Sequence, residues 1–286
     1  MLTDIYITIG DYDNAETNIR RAIEIQENQF GRNHIDVAKS ISKLALIKFY
    51  KGDDLKEVEE LLVEAKFIIS GKLGSSNPQY ALVLKDLATI YIADHKFNEA
   101  FRLLEEADKI WQQRLGSRNN VNAANIYLLE GDIHYIQRDY VDAEASYMKA
   151  KRLYQKIFNK NHPEYVKVLS KLSKVYYMSK DYKKSKNNLD EALENYQNYI
   201  KNFFPALTEA QKTKYWNKIK LDFEFYNSFA VAHKDIFPDA VQTVFNNALL
   251  TKAILLSSSI KMRERILNSD NEELKAKYSE WVAKKE

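Results

Sequence analysis

Gly10-Asp11-Tyr12-Asp13-Asn14-Ala15-Glu16, Arg138-Asp139-Tyr140-Val141-Asp142-Ala143-Glu144 and Lys180-Asp181-Tyr182-Lys183-Lys184-Ser185-Lys186 are three copies of one phrase. Two weaker copies, Gly52 to Glu59 and His95 to Phe101, stand between them. The aromatic or leucine that opens each copy falls at Tyr12, Leu55, Phe97, Tyr140 and Tyr182, at spacings of 43, 42, 43 and 42 residues. A fixed period of this length marks a repeat array, in which each supersecondary unit buries its apolar face only against the next.

One unit shows what is repeated. Asn77-Pro78 is a helix start, because Asn can cap and Pro fits a first turn whose N–H has no partner. Leu84, Leu87, Ala88 and Tyr91 then fall at three- and four-residue steps, one apolar face of a helix. Asp94-His95-Lys96 interrupts the pattern. Phe97, Ala100, Phe101, Leu104, Ala107 and Trp111 form the stripe of a second helix that stops near Leu115-Gly116. Two helices joined by so short a turn make an antiparallel hairpin.

Small residues recur where helices must approach closely. They are Thr3, Ala45, Ala88, Gly131 and Ser173 in the first helices. In the second helices they are Ala15, Val58, Ala100, Ala143 and Ser185, and seven residues on Ala22, Ala65, Ala107, Ala150 and Ala192. Larger residues sit between, at Ile19, Leu62, Leu104, Tyr147 and Leu189. Small side chains admit the neighbouring helix and large ones fill the space beside it. The register predicts an all-α fold, a right-handed α-solenoid of about five hairpins over 1–204, the first truncated. A non-repeating helical extension follows over 205–286, with helices expected from Leu207 to about Lys234, Pro238 to Lys261 and Glu272 onward.

Composition narrows the function. The 286 residues include only 7 Gly and 4 Pro, which suits long helices. With 43 Lys plus Arg against 40 Asp plus Glu, the net charge of +3 is too even to argue for nucleic acid or an anionic membrane. There is no cysteine, hence no disulfide, thiolate metal site or cysteine nucleophile. No apolar run approaches a membrane span and no signal-peptide layout opens the chain, so a cytoplasmic protein is expected. The chain opens inside one repeat and stops inside a helical pattern, and so reads as a piece of something longer.

The register resembles the tetratricopeptide repeat, in the long form found in kinesin light chains. The residues that carry the likeness are Leu44-Ala45, Leu87-Ala88-Thr89-Ile90-Tyr91 and Tyr140-Val141-Asp142-Ala143-Glu144, with the loops Leu73-Gly74-Ser75-Ser76-Asn77-Pro78 and Phe158-Asn159-Lys160-Asn161-His162-Pro163. Lys48 and His134 depart from it, standing where an aromatic is usual. Beyond Phe203-Phe204-Pro205 the segments 215–227 and 246–256 resemble the helical region that joins such repeats to a CHAT domain, a caspase-like module of bacterial proteins. That second resemblance implies a regulatory, partner-sensing region whose protease would lie further along the chain.

No catalytic residue, cofactor or metal is expected. His34 and His162 occupy equivalent loops, His95 lies in a turn, and none of the five histidines, including His134 and His233, pairs with another at ligand spacing. Glu59-Glu60 and Glu105-Glu106 read as solvated faces, and no phosphate-cradling loop is visible. Lysines 171, 174, 180, 183, 184 and 186, interleaved with Tyr176, Tyr177 and Tyr182, resemble a nucleic-acid surface, but two of those tyrosines fall at packing positions.

The function expected is a scaffold that binds a protein or peptide. The candidate surface is a ladder on the first helices, beside the packed stripe: Lys39, Ser42, Lys85, Thr89, Asn125, Asp132, Tyr135, Lys167, Ser170, Lys174 and Tyr177. Lysines and hydroxyls at regular pitch can take carboxylates and backbone carbonyls, with the tyrosines as amphipathic anchors. Alternatives are a receptor closing around a small signalling peptide, or a nucleic-acid or CRISPR-effector-associated subunit. A deep enclosure with converging polar groups would favour the peptide receptor.

Overall fold

The computed structural model describes residues 2–116 and 120–283. Among the described residues there are thirteen α-helices and no strand. Helices pair in chain order: α1 (Leu2–Ile9) with α2 (Tyr12–Phe30), α3 (Ile35–Lys51) with α4 (Leu55–Leu73), and α5 (Pro78–Ala93) with α6 (Phe97–Leu115). They continue with α7 (Val121–Ile136) and α8 (Tyr140–Ile157), then α9 (Pro163–Met178) and α10 (Tyr182–Phe203). After a 3-10 turn at Phe204–Ala206 come α11 (Glu209–Ala232), α12 (Pro238–Leu267) and α13 (Glu272–Ala283). With eight residues in α1, the first hairpin is the short one.

The quoted phrase is the hairpin turn. Gly10, Gly52, His95, Arg138 and Lys180 all adopt positive φ, between 57° and 87°. In each case the next N–H closes back on the first helix: Asp11 to Tyr6, Asp53 to Lys48, Lys96 to Tyr91, Asp139 to His134 and Asp181 to Tyr176, at 2.8–3.1 Å. That closure satisfies a carbonyl the helix end would leave bare. Three of the five residues are not glycine, so backbone strain is tolerated there for the sake of the tight reversal. The aspartates that follow cap the second helices, with Asp11, Asp139 and Asp181 accepting from the N–H three residues on. Asn77 caps α5 ahead of Pro78, accepting from the Gln79 N–H at 2.9 Å. The loop histidines do the same work: His34 and His162 accept through Nδ1 from the Asp36 and Glu164 N–H groups and stack on Phe30 and Phe158.

The chain divides into two compact units, residues 1–192 and 193–286. In the first unit α5 is buried on two sides. Val83, Leu87 and Ile90 join the core of the preceding hairpins, whereas Leu84, Ala88 and Ile92 join one built with α6 and α7. Ala15, Ala45, Val58, Ala88, Ala100, Ala143, Ser173 and Ser185 are all fully enclosed, as are the larger residues Leu62, Leu104 and Leu189. In the second unit Tyr215, Ile219, Phe223, Tyr226 and Phe229 form the buried stripe of α11. Tyr199 stacks on Tyr215 with centroids 5.9 Å apart, and the Tyr196 hydroxyl donates to Asp222 at 2.9 Å. The helix expected from Pro238 runs on to Leu267; within segment 246–256, the side chains from Leu250 onward lie outside the described ones.

Packing is close at Gly131. A Cβ built there would lie 2.5 Å from Cδ1 and Cε1 of Tyr147, a fully buried ring. Alanine ordinarily gains about 1 kcal/mol over glycine within a helix, but overpacking costs about 1–3 kcal/mol. Gly131→Ala is therefore expected to lower stability in denaturant titration, whereas adding Tyr147→Leu, the residue type used at Leu62 and Leu104, should recover part of the loss. Additivity of the two substitutions would contradict this packing account.

Candidate interaction surface on the first helices

Neighbouring hairpins are tied by a polar clasp outside the cores. The Tyr91 hydroxyl donates to Glu59 at 2.7 Å and the Tyr176 hydroxyl to Glu144 at 2.9 Å, each from a first helix to the second helix before it. Burial first, then the carboxylate, raises both phenol pKa values, that of Tyr91 to about 12. At the same register His134 faces the ring of Phe101 at 5.5 Å, and Lys48 turns to Asp53 and Glu57. The two departures from the aromatic pattern thus replace the clasp with other contacts.

The sequence-derived ladder splits in two. One group is spent inside the fold. Ser42 is only 6% exposed and donates to Asp86 Oδ2 at 3.1 Å, and Ser170, 5% exposed, accepts through its carbonyl from Ser173 Oγ. The Thr89 hydroxyl turns back to the Lys85 carbonyl. Asn125 accepts from the Tyr154 hydroxyl, and Asp132 from both the Tyr147 hydroxyl and Lys171. First helices are packed on both sides, so the strip they leave to solvent is narrower than one apolar stripe per helix implies.

The second group is displayed. Lys39 is exposed beside Asp36, and Lys167 is half exposed beside Glu164 at 3.9 Å. Lys174 is half-buried, and Tyr135 and Tyr177 are partly exposed against Tyr140 and Tyr182. Lys85 lies 2.6 Å from Asp86 Oδ1, an ionic contact without hydrogen-bond alignment.

Electrostatics reveal which of these converge. Desolvation pulls the Lys167 pKa down, yet Glu164, Tyr50, Asp132 and Tyr12 outweigh it and leave the ammonium held more tightly than usual. Desolvation likewise opposes Lys85, and Asp86, with a smaller contribution from Tyr50, reverses it. Lys85 and Lys167 also repel each other weakly. Residues from α2, α3, α5, α7 and α9 therefore lie within Coulomb range of Lys85 or Lys167. Lys167 nonetheless keeps a side chain half open to solvent, so its charge remains available to a ligand. Tyr12 and Tyr50, which stack at 5.7 Å, were missing from the ladder. Tyr12 was legible only as the start of a second helix, and its approach to α9 depends on curvature that no local pattern encodes.

The lysine run of the fifth hairpin is largely occupied. Lys171 meets Asp132, Lys184 meets Asp181 and covers the Tyr176 ring, and Lys186 meets Asp190. No helix among the described residues is long and apolar enough to cross a membrane.

Tetratricopeptide repeat family models match residues 1–29 and 122–198. Among solved structures, BtubC (BKLC) from P. vanneervenii is similar over 92% of each chain, at 19% identity and a TM-score of 0.54. A Rap protein complexed with Competence and Sporulation Factor is similar over 92% of this chain and 74% of its own, at 14% identity and a TM-score of 0.61. A Podosopora anserina protein described as a kinesin light chain with nearly identical TPR-like repeats covers 70% of this chain, at 18% identity and a TM-score of 0.49. No curated protein matches the sequence significantly.

The clasps give a pH prediction. A phenol whose folded pKa is raised contributes stability that is complete below the unfolded value near 10 and is lost as pH climbs through the folded one. Melting temperature should fall between pH 10 and 12, less steeply in Tyr91→Phe, which at neutral pH loses about 1 kcal/mol with its hydrogen bond. An identical alkaline slope in the variant would contradict the clasp.

Proposed function

We propose that these tetratricopeptide repeats form a receptor for a short protein or peptide segment, taken into the curve of the inner face. The observation that carries this reading is the convergence of Lys85, Lys167, Tyr12 and Tyr50 from hairpins far apart in sequence. An open groove suits a long partner laid across it; a shared, partly desolvated space suits a short one whose carboxylates meet the ammonium groups there. Lys167 and Lys85 supply charge, Tyr12 and Tyr50 supply amphipathic ring faces, and Lys39, Lys174, Tyr135 and Tyr177 extend the displayed surface. Desolvated charge pairs of this kind determine dissociation more than encounter. The Rap neighbour, solved in complex with a factor, supports a ligand-binding use of a similar fold.

In this reading the chain is non-catalytic and recognises rather than transforms its ligand. A finer reading, control of a caspase-like CHAT domain, rests on the resemblance of segments 215–227 and 246–256 alone. A role in nucleic-acid binding is disfavoured by the internal ion pairs of the fifth hairpin.

Display selection of random peptides on the full chain tests the proposal. Selected peptides should carry Asp or Glu, and Lys167→Glu should weaken them at least tenfold in a chain that stays folded at the binding temperature, its melting temperature lowered by the lost contacts with Glu164 and Asp132. Lys85→Gln should weaken them less, since Asp86 already holds that ammonium. Peptides that bind Lys167→Glu and the natural chain equally would remove the inner-face assignment.

A further inference from the structure

The turn of the fourth hairpin gathers three groups that the interaction surface does not use. His134, near the end of α7, and Asp139 and Asp142, at the cap and third position of α8, bring one potential ligand atom each within 4.8 Å of the others. Elsewhere in the array these positions hold a compensating donor. In the second hairpin Lys48 stands at the register of His134, and its ammonium lies 2.6 Å from Asp53 and 3.1 Å from Glu57. Glu57 is the third residue after its cap, as Asp142 is, and Asp53 belongs to a turn longer by one residue. In the third hairpin Lys96 replaces the cap acid. In the fifth Lys184 replaces the third-position acid and lies 3.1 Å from Asp181. In the first the Asn14 amide donates to Asp11 at 2.7 Å.

The fourth hairpin keeps both acids and has no lysine at any of the three positions. Among the described residues neither Asp139 nor Asp142 has a cationic partner, and the His134 imidazole, which touches the Phe101 ring, makes no hydrogen bond. The second hairpin shows that these register positions hold a cation.

The geometry points to a binding site for a divalent transition-metal ion of the zinc class, held by His134, Asp139 and Asp142. One imidazole nitrogen with two carboxylate oxygens suits zinc, whereas magnesium and calcium take all-oxygen sets. Zinc bonds of about 2.0–2.2 Å place ligand atoms roughly 3.5 Å apart, so side-chain rotation in these exposed acids closes the present spacing. Both acids are exposed at the start of α8, where their side chains are free to turn toward His134. Asp139 spends one oxygen on the Asp142 N–H and retains the other. Two carboxylates carry two negative charges, which a divalent ion balances and a single proton on His134 does not. Water would complete the coordination, and the ion would fasten the α7–α8 turn as Lys48 fastens α3 to α4.

Calorimetric titration of the full chain with zinc chloride, and separately with magnesium chloride, tests the site. One equivalent of zinc should bind, without competition from magnesium. His134→Tyr, which installs the residue used at Tyr91 and Tyr176, should keep the melting temperature while lowering zinc affinity at least tenfold, and Asp142→Asn should do likewise. His162→Ala should leave zinc binding unchanged. In zinc-free buffer His134→Lys should melt higher than the natural chain and no longer respond to zinc. Absence of zinc uptake, or uptake equal in the natural chain, His134→Tyr and Asp142→Asn, overturns the assignment. So does a chain that ignores zinc but gains stability on acidification through His134, since the position would then hold a proton.

Discussion

The array depends on close approach between first and second helices at positions where only small side chains fit. Ala45, Ala88, Gly131 and Ser173 recur along the first helices, and each is enclosed. The constraint is strict at Gly131, because the facing large residue is the Tyr147 ring rather than an aliphatic side chain. Interiors packed to this density transmit a change of one methyl group to their neighbours. Tyr147 is also where packing meets polarity: its hydroxyl donates to Asp132, and Asp132 receives Lys171 from the next hairpin. A single contact between helices thus joins the core of one hairpin to the ion pairs linking it to its successor.

What the sequence made legible was short in range. The small–large–small register, the Asn77-Pro78 start and the turn phrase each depend on residues within a few positions of one another. Their structural consequences follow from helix geometry alone. The clasps Tyr91–Glu59 and Tyr176–Glu144 span 32 residues and depend on how consecutive hairpins rotate, which periodicity does not specify. The same limit explains the inner ladder. Register placed Ser42 and Ser170 beside the apolar stripe, but first helices bury a second side against the next hairpin, and both serines are enclosed. Conversely, Lys85 and Lys167 could be assigned to one side of their helices but not to one space, because that follows from curvature accumulated over several repeats.

Departures from the repeat pattern are where the protein is individual. A strict repeat would present the same tyrosine–carboxylate clasp at every junction. Here Lys48 and His134 interrupt it and bring different charge to their turns. The inner face shows the same logic: its shared space is lined by residues that differ from one hairpin to the next, so the scaffold is periodic and the surface it offers is not. Recognition needs that asymmetry, since a uniform ladder could not hold a segment in one register.

Curvature is the claim that links the packing register to the binding proposal. The chain has no cysteine, so a pair introduced at Tyr50 and Lys167, both exposed, can be spin-labelled without background. Coulomb coupling places these side chains within about one Debye length, roughly 10 Å, so with the reach of two label tethers the account predicts a narrow distance distribution within about 20 Å. A broad distribution, or one centred at or beyond about 30 Å, the span of three successive first-helix spacings of about 10 Å each, would contradict an inner face that closes on a common space.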